Sequence, residues 1–180
     1  KEFSNTFYLV DAYFIQGMYY YFNEKYDSAT IYYNKSIDVQ LGNKDIIDNN
    51  IIWNYYYSAL SYFQLGQHEN AINFLRNLKQ LQKEKGLHFI EDQWIFNEII
   101  SNKNALKDYK EILTLIDKNL SDTLLKKSKV DSVFLFSSII SSNNKLAEYS
   151  KSVKYFENSL NFIDTNSQNS INVIWNGAEA

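Results

Sequence analysis

The 180-residue sequence has no cysteine and no proline, and only five glycines, two histidines, one methionine and a single arginine, Arg76. Without cysteine there is no disulfide framework, no thiolate zinc or iron–sulfur site and no cysteine nucleophile. Without proline, and with so little glycine, a β-sandwich or barrel would lack its turn punctuation, and the commonest helix breaker is missing too. Both absences point to an all-α fold. One arginine, a formal charge of −3 and a pI near 5.4 argue against phosphate and base recognition, so no nucleic-acid partner is expected for this segment. The basic cluster Lys126, Lys127 and Lys129 reads as a solvated helix end rather than an anion site. No apolar run reaches the ~18 residues of a membrane span, and no signal-peptide pattern opens the chain. The expectation is a cytoplasmic protein without a membrane partner, and the start at Lys1 reads as an excised piece of something larger. What the sequence does hold is aromatic: 15 Tyr and 12 Phe in a chain that is 45% hydrophobic. That excludes intrinsic disorder and supplies a core for one domain over residues 1–180.

The aromatics are ordered by a repeat. Tyr13, Gly17, Tyr20, Ala29 and Tyr33 correspond to Tyr55, Ala59, Tyr62, Ala71 and Leu75, every pair 42 residues apart. Tyr13, Gly17 and Tyr20 share one face of a first helix, Asn23 to Lys25 form a turn, and Ala29, Tyr33, Ser36 and Ile37 recur at helical spacing on a second. Small residues at Gly17/Ala59 and Ala29/Ala71 sit where paired helices cross, letting the backbones approach while aromatics fill the gaps beside them. Glycine inside a helix costs up to ~1 kcal/mol relative to alanine, so close approach is the reason read for Gly17. Further on, the pattern degenerates. Leu106, Tyr109, Leu113 and Ile116 reproduce the second-helix face with Tyr109 at the small position, after a helix carrying Trp94, Phe96, Ile99 and Ile100. Tyr149, Ser152, Phe156, Ser159 and Leu160 reproduce it again, after a helix through Val133 to Ile140. Four antiparallel helical hairpins are expected, over about residues 7–41, 46–85, 90–119 and 121–164, with 165–180 as a tail or capping helix. Turns are expected at Gly42–Asn43, Gly66, Gly86, Ser101–Asn104 and Asn143–Asn144, and Ile171 to Trp175 begins a further helix or docks as a cap.

These residues resemble the tetratricopeptide repeat, W-x2-L-G-x2-Y…A-x3-F, with Tyr13 and Tyr55 at the Trp position. Gly17, Tyr20, Tyr26, Ala29 and Tyr33 match in the first unit, and Ala59, Tyr62, Gly66, Ala71 and Leu75 in the second. Gln16 and Ser58 replace the Leu before the small residue, and the closing Pro is missing. The period of 42 exceeds the usual ~34, which lengthens each helix by about one turn. Long repeats of this kind are similar to those of kinesin light chain and of bacterial peptide-sensing regulators. The resemblance implies an all-α, right-handed superhelix of about four hairpins, an α-solenoid whose first helices line a concave groove.

Nothing in the sequence assembles catalytic chemistry. There is no Gly-rich phosphate loop, no G-x-S-x-G and no paired-histidine spacing. His68 fills the slot matched by Tyr26 and reads as packing; His88 near Glu91 could form an acid–base pair but reads as a loop residue. Asp45, Asp48 and Glu69 show no metal-ligand spacing, and no metal, cofactor or enzymatic activity is expected. The letters Asn34-Lys35-Ser36 and Asn119-Leu120-Ser121 are sequons without a secretion signal. One feature stands out against the implied family pattern, whose inner face is usually polar. Here that face reads Asp11, Phe14, Met18 and Tyr21 on the first helix, Trp53, Tyr56, Leu60 and Phe63 on the third, and Glu91, Trp94, Glu98 and Ser101 on the fifth. Aromatics in a groove suit capture of a peptide or protein, and Asp11 or Glu91 could hold its amine. The face lacks the Lys and Asn of chaperone-tail clamps. Two functional readings stand: the sensor or interaction part of a larger transcriptional or signalling regulator, and a passive scaffold or oligomerisation segment, including a homodimer. The same aromatic stripe would serve internal packing if curvature or a docked tail covered it.

Overall fold

The computed structural model describes residues 2–43, 49–120 and 129–160, and among them the chain is wholly helical. The eight helices are α1 (Glu2–Phe22), α2 (Tyr26–Gly42), α3 (Asn50–Gln64), α4 (His68–Lys85), α5 (Asp92–Ala105), α6 (Tyr109–Leu120), α7 (Lys129–Lys145) and α8 (Tyr149–Ser159). α1 with α2, α3 with α4, and α7 with α8 form antiparallel hairpins, a like turn joins α5 to α6, and the chain falls into two compact units, Lys1–Asn102 and Lys103–Ala180. In the first unit α1 packs on α2, α2 on α3, α3 on α4, and α1 lies beside α3. In the second, α7 packs against both α6 and α8. Asp45, Asp48, the Lys126–Lys129 side chains and everything from 161 to 180, including Ile171 to Trp175, lie outside the described residues.

One turn conformation recurs within all four hairpins. Glu24, Gly66, Lys107 and Ala147 are left-handed, with φ of 57°, 70°, 59° and 59°. Each is followed by an amide that donates back across the turn: Lys25 to the Tyr20 carbonyl, Gln67 to Tyr62, Asp108 to Lys103 and Glu148 to Asn143, at 2.8–3.0 Å. This is the Schellman ending, which satisfies carbonyls the helix terminus leaves unpaired. The turns succeed one another at 42, 41 and 40 residues. They fix a register that corrects the sequence reading of the third hairpin and keeps that of the fourth. Ala29, Ala71, Ile112 and Ser152 are the equivalent positions, each donating to the carbonyl four residues back, and all four are buried. Ile112, not Tyr109, therefore takes the small-residue place in the third hairpin; Tyr109 opens α6 as Tyr26 opens α2 and His68 opens α4.

The expected turns at Ser101–Asn104 and Asn143–Asn144 are helical instead, inside α5 and α7. Asparagine competes for backbone groups and often ends helices. Here Asn102 and Asn143 are buried and donate their amides to the carbonyls of Glu98 and Ile139, at 2.8 and 3.0 Å, so the competition is settled within the helix. The chain reverses a few residues later.

The cores follow the repeat. Gly17 is where α1 and α2 touch: a Cβ placed on it would lie 2.5 Å from Cδ1 and 3.0 Å from Cζ of the fully buried Tyr33. Tyr32 sits between Tyr13 and Tyr20, at ring-centroid distances of 6.3 and 5.2 Å. Phe74, 42 residues on, sits between Tyr55 and Tyr62 at 5.7 and 5.1 Å, the same arrangement. Ile37, Ile51, Ile52, Ala59, Leu75, Leu78, Ile90 and Ile95 form the aliphatic core of the first unit. Val133, Phe136 and Ile140 with Tyr155 and Phe156 form a cluster in the second. Loop 87–90 is clamped by buried Gln82, whose amide donates to the Ile90 carbonyl and whose oxygen accepts from the Ile90 amide, at 2.8 and 2.9 Å.

Candidate functional site

The first helices α1 and α3 run side by side, and their facing side chains meet on one residue absent from the sequence-derived stripe, Tyr57. Its ring centroid lies 5.3 Å from Tyr21, 5.9 Å from Tyr33, 5.9 Å from Tyr56 and 6.2 Å from Trp53. Trp53 and Tyr56 meet edge to face at 6.3 Å, and Tyr26 closes on Tyr21 at 5.7 Å. Such offset and edge-to-face contacts are the preferred geometries of aromatic pairs. Tyr21, Trp53 and Tyr56 thus come together, all half-buried. The signal for Tyr57 was its spacing of four from Trp53, which puts both on one flank of α3.

Glu98 of α5 joins them. Its half-buried carboxylate interacts electrostatically with the Tyr21 and Tyr56 phenols. Burial raises its own pKa above the ordinary value. Burial, then the charge of Glu98, then the Tyr21 and Tyr57 phenols push Tyr56 up to about 12. Tyr21 is raised by burial and by Tyr26, Tyr57 and Glu98, and Tyr33 by burial, Tyr57 and Tyr21. The raised phenols of Tyr21, Tyr33 and Tyr56 are neutral at physiological pH and act as hydrogen-bonding groups. No described side chain donates a hydrogen bond to the Glu98 carboxylate or pairs with it. The turn register makes Glu98 the counterpart of Tyr57, 41 residues on.

The remaining stripe residues go elsewhere. Asp11 accepts a hydrogen bond from Asn50 at 2.8 Å, which ties α1 to α3. Phe14 packs on Tyr33 at 6.2 Å, in the hairpin interior beside Gly17. Phe63 meets His68 edge-on at 5.3 Å. Met18 and Leu60 are half-buried, Ser101 donates to the Asn97 carbonyl at 3.0 Å, and Trp94 is 54% exposed. His68 is a packing residue: its Nδ1 lies 3.2 Å from Oδ1 of buried Asn102, linking α4 to α5. His88 and Glu91 are both exposed. His88 lines a cavity of about 340 Å³ with Lys79, Gln82, Lys83 and Asp92. Among the described residues no group of three His, Asp or Glu side chains could hold a metal ion, and no helix is long and apolar enough to cross a membrane.

Residues 10–43 and 54–85 match the tetratricopeptide repeat family. No curated protein matches the chain in sequence. Among solved structures, the crystal structure of NprR in complex with its cognate peptide NprX is similar over 99% of this chain, with a TM-score of 0.52 and 18% identity. The match covers 50% of that protein, so the chain spans about half its length. At that identity the likeness is one of fold. The two matched segments are similar to tetratricopeptide repeats, and the chain is built of all-α, TPR-like helices.

Proposed function

We propose that this chain is a non-catalytic peptide-binding module, the sensor or interaction part of a larger regulator. The observation that carries it is the meeting of Tyr21, Trp53, Tyr56 and Tyr57 on the first helices, with the charge of Glu98 acting on the Tyr21 and Tyr56 phenols. Large, rigid aromatics give contact area at little entropic cost, and polar tips give direction. The similar fold of NprR, solved in complex with its cognate peptide NprX, supports a peptide as the class of ligand. Ligand bound there would act on an attached output domain by shifting the packing of neighbouring hairpins.

A phage-displayed library of random heptapeptides, selected on the immobilised chain, tests this. Enriched peptides are expected to bind wild type and to lose about tenfold or more in affinity with Trp53→Ala or Tyr56→Ala. If both variants keep full affinity while unfolding at lower urea, the cluster is core and the reading fails.

A second reading, a scaffold or self-association segment, draws on a different surface. Tyr8, Ile15, Tyr19 and Phe22 form an exposed apolar stripe along α1, with Tyr8 71% exposed. Spacings of seven, four and three keep them on one face. Light scattering over a concentration series tests it: a dimer that Ile15→Lys dissolves supports this reading, and a monomer throughout rejects it.

A further inference from the structure

We infer that Glu98 and the rings of Tyr21, Trp53, Tyr56 and Tyr57 form a subsite for the ε-ammonium of a lysine side chain on the bound peptide. The inference rests on the peptide-binding reading and names the ligand group its central residues select.

A carboxylate removed from water is normally paired with a cation or held by donors. The same helix shows the rule obeyed. Five residues after Glu98, the buried ammonium of Lys103 lies 3.3 Å from Asp108 and 2.7 Å from Glu111. Glu98 is half-buried and has no such partner among the described residues. The groups its charge acts on instead are the phenols of Tyr21 and Tyr56 in the ring cluster. Ring faces attract cations through their quadrupole, and phenol oxygens accept hydrogen bonds. The chain already uses this chemistry internally: the Lys35 ammonium lies 5.1 Å from the centroid of Tyr32 and 5.7 Å from that of Tyr13. The last twenty residues, 161–180, contain no lysine or arginine, so they hold no side-chain cation for Glu98.

Among cations, lysine fits best. Its three donors match one carboxylate and the neighbouring phenol oxygens, and its four-methylene stem suits the ring surfaces of Trp53 and Tyr56. A guanidinium is a rigid planar fork best met by a bidentate carboxylate, whereas the compact ammonium turns its three donors freely toward one carboxylate and separate phenol oxygens. A peptide N-terminus brings its ammonium without an apolar stem and carries its first amide in with it.

The test uses the whole chain and small probes. Nα-acetyl-lysine amide, titrated by NMR, is expected to shift the Trp53 indole and the Tyr21, Tyr56 and Tyr57 ring resonances saturably. Nα,Nε-diacetyl-lysine amide, which lacks the charge, should leave them in place. Glu98→Gln should weaken the lysine probe about tenfold or more while the fold persists by circular dichroism. Equal shifts from the neutral probe, or stronger binding of alanine amide or Nα-acetyl-arginine amide, overturn the lysine assignment without touching the variant. The heptapeptide selection separates this failure from that of the wider reading. Enriched peptides with no recurrent lysine overturn the subsite and leave peptide binding standing; no enrichment at all removes both.

Discussion

Gly17 and Tyr33 show how tightly single residues are specified in the first hairpin. The glycine lies against a ring that is itself buried between Phe14 and Tyr57 and has nowhere to move. Gly17→Ala gains ~1 kcal/mol in helix propensity but forces a methyl group into that ring, a kind of overpacking that costs about 1–3 kcal/mol. The net expectation is a lower urea midpoint. The second hairpin solves the same crossing with Ala59 and Leu75, so Gly17→Ala combined with Tyr33→Leu transplants that pair. The double variant is expected to be less destabilised than the two single effects added, with a coupling of about 1 kcal/mol. Strict additivity would mean that the contact is not what holds glycine there. This contact was legible in the sequence, because an offset of 42 set Gly17 beside Ala59 and made size the variable. The candidate site was legible only in part. Counting a helical face finds Tyr21, Trp53, Tyr56 and Glu98, but it cannot tell which side chain a neighbouring helix will meet. Asp11 is taken by Asn50, Phe63 by His68, and Tyr57, one step round the helix, becomes the centre. For α5 the face was also counted three residues out of register, which placed Glu98 opposite Leu60 rather than opposite Tyr57.

At the scale of the elements, the four hairpin turns share one backbone conformation built from four different residues, Glu24, Gly66, Lys107 and Ala147. A left-handed L-residue costs roughly 1–2 kcal/mol, and glycine avoids most of it. Three of the four turns bear that cost. Ala147→Gly is therefore expected to stabilise the chain by about 0.5–1 kcal/mol, after allowing for the looser unfolded state of glycine. Gly66→Ala should lose about 1 kcal/mol. An added methyl at Gly66 meets nothing within 4 Å, so the loss would be purely conformational. Denaturant midpoints of both variants check the pair, and a destabilised Ala147→Gly would contradict the argument. The same distribution explains what the sequence conveyed about the elements. The all-α class, the hairpin order and the first two turns could be read from aromatic periodicity and from Gly66. The third and fourth turns carried no glycine marker, and their asparagines pointed a few residues too early. A polar residue that bonds back to its own helix looks the same in sequence as one that ends it.

At the scale of the whole molecule, Glu98 couples the candidate site to global stability. Burial raises its pKa, so the folded chain binds a proton there more tightly than the unfolded chain does. By linkage, the favourable contribution of the protonated carboxyl is complete below the ordinary value of 4.5 and is lost as pH rises through the raised value. At neutral pH the folded state therefore carries an uncompensated charge, and Glu98→Gln removes it. The variant is expected to melt higher than wild type at pH 7, with the gap closing as pH falls to about 4. The Tyr21 and Tyr56 phenols remain neutral throughout this window, since both are raised, that of Tyr56 to about 12. Asp108 works in the opposite direction: its hydrogen bonds with Glu111 and Lys103 hold its pKa down, so its contribution is lost on acidification in wild type and variant alike and cancels in their difference. Paired melting curves from pH 4 to 8 measure that difference directly. A carboxylate kept for structure would give the reverse result, a variant less stable at pH 7, because removing it would strand a partner. A gain in stability together with loss of the lysine probe is the signature of a residue held at an energetic cost for binding. Lys103, the one buried charge among the described residues, is paired with carboxylates; for Glu98 the ligand itself is then the missing counter-ion, and saturating lysine probe should raise the melting temperature of wild type but not of Glu98→Gln.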